Sequence, residues 1–151
     1  MSTSQNYSGR KVDLSLFPEL KTPSVLATMT VAGPGRVIAG PAKAAQNFLF
    51  ALLGREGERP GDPDFGTQFL ARLTQGSVRY PSDVDQIFTL EASKAVDWWN
   101  SKSKLRPLDE QIKGVSLTNQ SVDQSKILLS VSLTTRGDGS TAFLIPVNWS
   151  N

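Results

Sequence analysis

The chain has 151 residues, 38% hydrophobic and 20% charged, with 16 basic and 14 acidic side chains and a formal net charge of +2. That is the make-up of one globular domain, and the charge is too balanced to favour a nucleic-acid partner even with an isoelectric point near 9.0. Cysteine and histidine are both absent, which excludes disulfides, thiol nucleophiles, Cys/His zinc centres and His-based triads and leaves carboxylate pairs, an activated Ser or Lys, or a carboxylate-held metal as the catalytic options.

Residues 1–23 are polar, with an isolated apolar group of Leu14, Leu16, Phe17 and Leu20 ahead of Pro23. They read as an arm outside the domain, a candidate docking segment that orders on assembly, with 24–151 as a single domain. The start lacks the apolar run of a signal peptide, and no window holds the roughly 18 apolar residues of a membrane span. A soluble protein made in a cytoplasm, with no membrane partner, is expected. Residues 24–31 (SVLATMTV) read as a strand stopped by Gly33-Pro34-Gly35, with 36–39 continuing the sheet.

Pro41 suits a first helical turn, and Ala45, Phe48, Leu49 and Leu52 then recur at helical spacing until Gly54. After a loop, Phe65, Phe69, Leu70 and Leu73 predict a short helix ending near Gly76. The main amphipathic helix is expected over 82–100, with Ser82 and Asp85 as a capping box. Its stripe is Val84, Ile87, Phe88, Glu91, Ala92, Ala95, Trp98 and Trp99, in which Glu91 alone is out of character. Trp98 and Trp99 point about 100° apart on a helix, which predicts one in the core and the other as an exposed aromatic anchor at an interface.

From Ile112 the period changes to two. Val115 and Leu117, then Ile127, Leu129, Val131 and Leu133, then Phe143, Ile145, Val147 and Trp149 mark three strands. The loop Thr135-Arg136-Gly137-Asp138-Gly139 joins the last two, with Gly137 and Gly139 expected at positive φ; its Arg-Gly-Asp tripeptide is explained by turn formation. The last strand is apolar on both faces (Phe143, Ile145 and Val147 against Leu144) and contains Pro146. That marks an edge strand, one read here as offered to another subunit and dispensable for folding. The whole order predicts an α+β fold, with three helices packed on a small mixed, largely antiparallel sheet.

The stretch GREGERPGDPDFGT, residues 54–67, concentrates glycine, proline and charge. It lacks the Gly-Lys-Ser/Thr ending of a nucleotide-binding loop and follows a helix, so no nucleotide, cofactor or metal is expected. Glu56, Glu58, Asp62 and Asp64 offer carboxylates for a glycosidase, the alternative function, with Glu58 and an Asp of the loop as the acid and base pair. Arg55 and Arg59 in the same loop favour ionised, ion-paired acids, which is the wrong setting for a general acid.

Residues 36–73 (RVIAGPAKAAQNFLFALLGREGERPGDPDFGTQFLARL), the later DQIFTLEASKAVDWW and the strand-rich end together resemble the baseplate wedge and sheath-initiator family of contractile phage tails, also called lysozyme-like. The similarity runs from about Arg36 to Val147, and its most specific part is a helix ending in paired leucines, then G-x-x-G-E-R-P, then x-P-x-F-G. The resemblance implies a non-enzymatic virion subunit at the tail baseplate, synthesised in the host bacterial cytoplasm and present in six copies around the tail tube. Its implied partners are the tail sheath protein and the baseplate wedge proteins, with the tube or hub as a further contact. Carried over by position, Gly57, Glu58, Arg59, Pro60, Pro63, Phe65 and Gly66 match the family's loop, and with Arg55 and Asp64 they make the expected wedge-facing structural loop. Trp98 and Trp99 are candidate interface aromatics, and Phe143, Leu144, Ile145, Pro146 and Val147 are the sheath-like edge strand. Where many members of the family carry Trp-Glu-Pro-Arg after the long helix, this chain has Asn100-Ser101-Lys102, and Arg106-Pro107 follows later.

Overall fold

A computed structural model describes residues 13–14, 37–75, 78–102, 105–122 and 126–148. The strand expected over 24–31, the Gly33-Pro34-Gly35 turn, Gly76 and Trp149 lie outside them. Within them the fold is α+β, three helices against a three-stranded antiparallel sheet.

Two short strands come first, β1 (Asp13–Leu14) and β2 (Val37–Ile38), paired antiparallel with Asp13 opposite Ile38. Residues 37–38 therefore do not extend the main sheet; they pair with two residues of the arm. Helix α1 (Gly40–Leu53) starts with Pro41 in its first turn, where a missing N–H costs nothing, and all four residues of its apolar stripe are fully buried. It ends at Gly54, but with an extended backbone (φ −72°, ψ 147°) rather than the left-handed one that glycine usually supplies. Space explains this glycine: a Cβ on Gly54 would lie 2.6 Å from the Phe65 ring.

Helix α2 spans only Phe69–Thr74, so Phe65 sits in the preceding loop, and Leu70 is 37% exposed instead of joining the buried stripe. The long helix α3 (Pro81–Lys102) begins one residue early. Its start is capped by Asp83, whose carboxylate accepts the N–H groups of Arg79 (2.8 Å) and Tyr80 (2.9 Å), and not by Ser82. Asp85 instead accepts a bond from the Gln120 side chain (2.9 Å).

A 3-10 turn, Leu108–Glu110, leads into β3 (Ile112–Val122), β4 (Lys126–Thr135) and β5 (Ser140–Asn148), which hydrogen-bond in the order β3-β4-β5. Register places Ile127, Leu129 and Val131 opposite Val147, Ile145 and Phe143, and these six lie on the buried face beneath the helices, with Leu133 and Ile112 also buried. Leu128, Ser130 and Ser132 pair with Pro146, Leu144 and Ala142 on the opposite face. At the β4–β5 turn the positive φ belongs to Asp138 (61°), not to Gly137 or Gly139. Those glycines are required by close approach, since a Cβ would meet the Asp109 backbone at 3.0 Å and Pro41 Cγ at 2.6 Å respectively.

Candidate functional site

Residues 54–67 turn the chain out of α1 and back toward α2 as a closed loop. Arg55 and Thr67 form a parallel bridge, Thr67 N–H donates to Gly54 O (2.9 Å), and Gly57 N–H donates to Phe65 O (3.0 Å). Three glycines sit at positive φ: Gly57 (72°), Gly61 (80°) and Gly66 (92°). Gly66 is doubly constrained, because a Cβ there would run into the Arg55 carbonyl. The Thr67 hydroxyl donates to Leu52 O (2.7 Å) and accepts from Phe69 N–H (3.1 Å), tying the end of α1 to the start of α2.

The loop's side chains divide into an anchored set and an outward set. Phe65 is buried and meets Trp98 edge-on at 5.1 Å, and the Arg59 guanidinium lies 3.7 Å above the Phe65 ring. Asp62 accepts from Trp98 Nε1 (3.0 Å) and sits 3.2 Å from Lys102 Nζ. The Trp98 hydrogen bond, followed by the Lys102 ammonium and Arg59, holds the Asp62 carboxyl below its usual value against an opposing effect of desolvation. Glu58 turns back to accept the Arg55 N–H (3.0 Å), and Glu56 accepts the Gln68 amide (2.8 Å). Among the described residues no ion pair joins Arg55 or Arg59 to a carboxylate, so the expected pairing of the loop's arginines with its acids is replaced by a stacked Arg59. Arg55, Pro60, Pro63 and Asp64 face outward.

Both tryptophans are buried, Trp98 at 7% and Trp99 at 2% exposure, so the expectation that one of them is an exposed anchor does not hold. The reason is that α3 is covered on two sides. Trp98 packs under the 54–67 loop. Trp99 turns the other way, donates from Nε1 to Glu110 O (2.6 Å) and carries the Arg106 guanidinium 3.8 Å above its ring. Asn100 clasps β3 at both backbone groups of Ile112, donating to its O (2.9 Å) and accepting from its N–H (3.0 Å). Asn100 and Lys102 thus both make their contacts within the chain, to Ile112 and to Asp62.

Sequence reasoning missed two charged cores. Glu91, fully buried on α3, accepts the Gln68 N–H at the start of α2 (3.0 Å) and lies near Arg72 (3.0 Å) and Lys94 (3.2 Å). Its place in an apolar stripe was the available signal. Lys43 and Glu110 form a buried pair at 3.1 Å that fastens α1 to the 3-10 turn, and nothing local in the sequence links residues so far apart.

In the sheet, β5 is an edge strand, as its proline predicts; Phe143, Ile145 and Val147 are buried while Leu144 and Pro146 are half-buried on the opposite face. Dispensability for folding does not follow, because three of its side chains belong to the core. The other edge is β3. Between it and α3 lies an open groove of about 490 Å³. Among the described residues there is no cluster of three or more metal-ligating side chains, and no helix is long and apolar enough to cross a membrane.

No protein-family model, curated protein or solved structure matches the chain.

Proposed function

We propose that the chain is a structural subunit of a contractile-tail baseplate wedge, lying around the tube and starting sheath assembly by sharing a β-strand with the first sheath ring. The observation that carries this reading is the β5 edge of a small antiparallel sheet, unpaired among the described residues and presented by the same chain that carries the closed G-x-x-G-E-R-P loop. An edge strand offers unpaired backbone groups to an incoming strand, and its rigid backing by the core keeps them in register. The 54–67 loop, closed by backbone bonds between its two ends, offers outward side chains to the wedge partners.

The glycosidase alternative requires a carboxylate raised in pKa in an apolar setting. Asp62 is displaced in the opposite direction, and Glu58 is committed to a backbone bond within its own turn. A zymogram separates the two functions: clearing by the purified protein that disappears in Glu58→Gln would sink the structural reading.

The assembly test charges the β5 edge on its outward face. Leu144→Lys, half-buried and away from the core row, is expected to leave stability within about 0.5 kcal/mol while sheath polymerisation on baseplates fails. Normal sheaths on such particles under the electron microscope would reject strand sharing at β5.

A further inference from the structure

We propose that the groove between α3 and the free edge of β3 receives an extended, basic segment of a partner protein as an added strand. This is a second docking surface, at the sheet edge opposite β5, and it stands whether or not the baseplate reading does. Three features of the groove define its occupant.

The first is the backbone. Among the described residues β3 pairs only with β4, and its stretch 114–117 lies between two register irregularities, one after Ile112 and one after Leu117. This leaves a short regular edge, and among the described residues, its own chain neighbours aside, no heavy atom lies within 4 Å of where a Cβ on Gly114 would be. An incoming backbone can therefore approach closely.

The second is the wall. Phe88, Ala92 and Val96 of α3, with Val115 and Leu117 of β3, give the groove an apolar floor; Val96, Val115 and Leu117 are only partly covered. That floor selects a strand with small or branched apolar side chains on the face turned to α3.

The third is charge. Asp85 and Asp97 line the groove at its two ends, and no basic residue lines it among the described residues. Twelve residues of helix separate them, about 18 Å at the usual rise, which a strand covers in about six residues. Side chains on one face of a strand recur every second residue, so the matching ligand carries cations six positions apart with apolar residues between them on the same face. The β5 segment of a second copy, STAFLIPVN, has no charged residue and lacks this complementarity, so the occupant is assigned to a different protein.

The test is amide NMR titration of the full chain with a blocked peptide, Lys-Thr-Val-Thr-Val-Thr-Lys. It is compared with the same peptide bearing Glu at both ends and with a form N-methylated at the residues that donate to β3. The expected result is shifts confined to residues 114–117 and to Thr89 and Ser93, weakening with salt. The Glu peptide should bind at least about tenfold more weakly, a difference of roughly 1.4 kcal/mol, and the N-methylated peptide should not bind. In Asp97→Lys, an exposed site, the preference between the two end charges narrows or inverts. Absence of shifts at millimolar peptide, equal binding of the Lys and Glu peptides, or binding that survives N-methylation would each overturn the assignment. So would a mass that rises with protein concentration in the absence of peptide, which would make a second copy the occupant.

Discussion

In the 54–67 loop the backbone is closed on itself and most side chains face outward, whereas in β5 the side chains of one face are buried and the backbone of the free edge faces outward. The two surfaces consequently recognise partners by different chemistry. A loop closed by its own backbone bonds at Arg55, Glu56, Gly57, Phe65 and Thr67 presents mainly exposed side chains, so its partners are selected by charge and shape. An edge strand offers the ladder itself, and its selectivity comes from register and from what flanks it. The difference also separates binding from stability. Outward loop residues can change without touching the core, while half of β5 cannot change at all without opening it.

The largest effect that sharpens this comparison comes from the inner face of β5. Phe143 is 1% exposed and packs against Phe48 with ring centres 6.4 Å apart. Phe143→Ala is expected to cost about 3–5 kcal/mol in urea unfolding, and removal of residues 141–151 should unfold the chain for the same reason. A truncated chain with a cooperative melt would show that β5 is an appendage after all. In the loop, the largest effect belongs to a residue with no side chain. Gly66→Ala adds a Cβ at φ 92° directly into the Arg55 carbonyl, and a strain of about 1–3 kcal/mol is expected. Gly57→Ala, at φ 72° but with open space around it, should cost less. Equal melting temperatures for the two variants would mean that the bridge between Arg55 and Thr67 does not constrain the loop.

Periodicity made the element types legible, since α1, α3 and the three strands depend on repeating apolar positions that tolerate errors at their ends. Boundaries were less legible where a single contact decides them. Phe65 has the spacing of a helical residue, yet Asp62 O accepts its N–H (3.1 Å) and its ring turns to Trp98, so the helix waits until Phe69. The burial of both adjacent tryptophans is not legible locally, because the 3-10 turn and Arg106 cover a second face of the helix, and that closure joins residues no local pattern connects. Gly54, Gly137 and Gly139 were legible as glycines but not for their reason, which is proximity to Phe65, Asp109 and Pro41 rather than a left-handed backbone. In the candidate site, the closed loop and the β5 edge were visible in advance from Gly, Pro and alternation. The β3 groove was not, because it exists only once α3 is laid across the strand.

The smallest effect tests whether the loop is fixed to α3 by charge as well as by the Phe65 ring. Asp62 has its pKa lowered from 3.8, chiefly by the Trp98 hydrogen bond and then by Lys102. A carboxyl whose folded value lies below its unfolded one stabilises the fold above the unfolded pKa and loses that contribution as pH falls through the folded value. Asp62→Asn should therefore melt below the parent chain at neutral pH, and the gap should close as pH falls below 3.8. Asp83 provides the internal comparison, since its pKa is also lowered, first by the Arg79 N–H and then by that of Tyr80, with no contribution from Lys102. Lys102→Met should accordingly reduce the acid dependence traced to Asp62 and leave that of Asp83 unchanged. If Lys102→Met alters both equally, or if the gap between parent and Asp62→Asn is constant with pH, the loop is held by Phe65 and its own hydrogen bonds alone, and the Asp62 carboxylate is available to a partner.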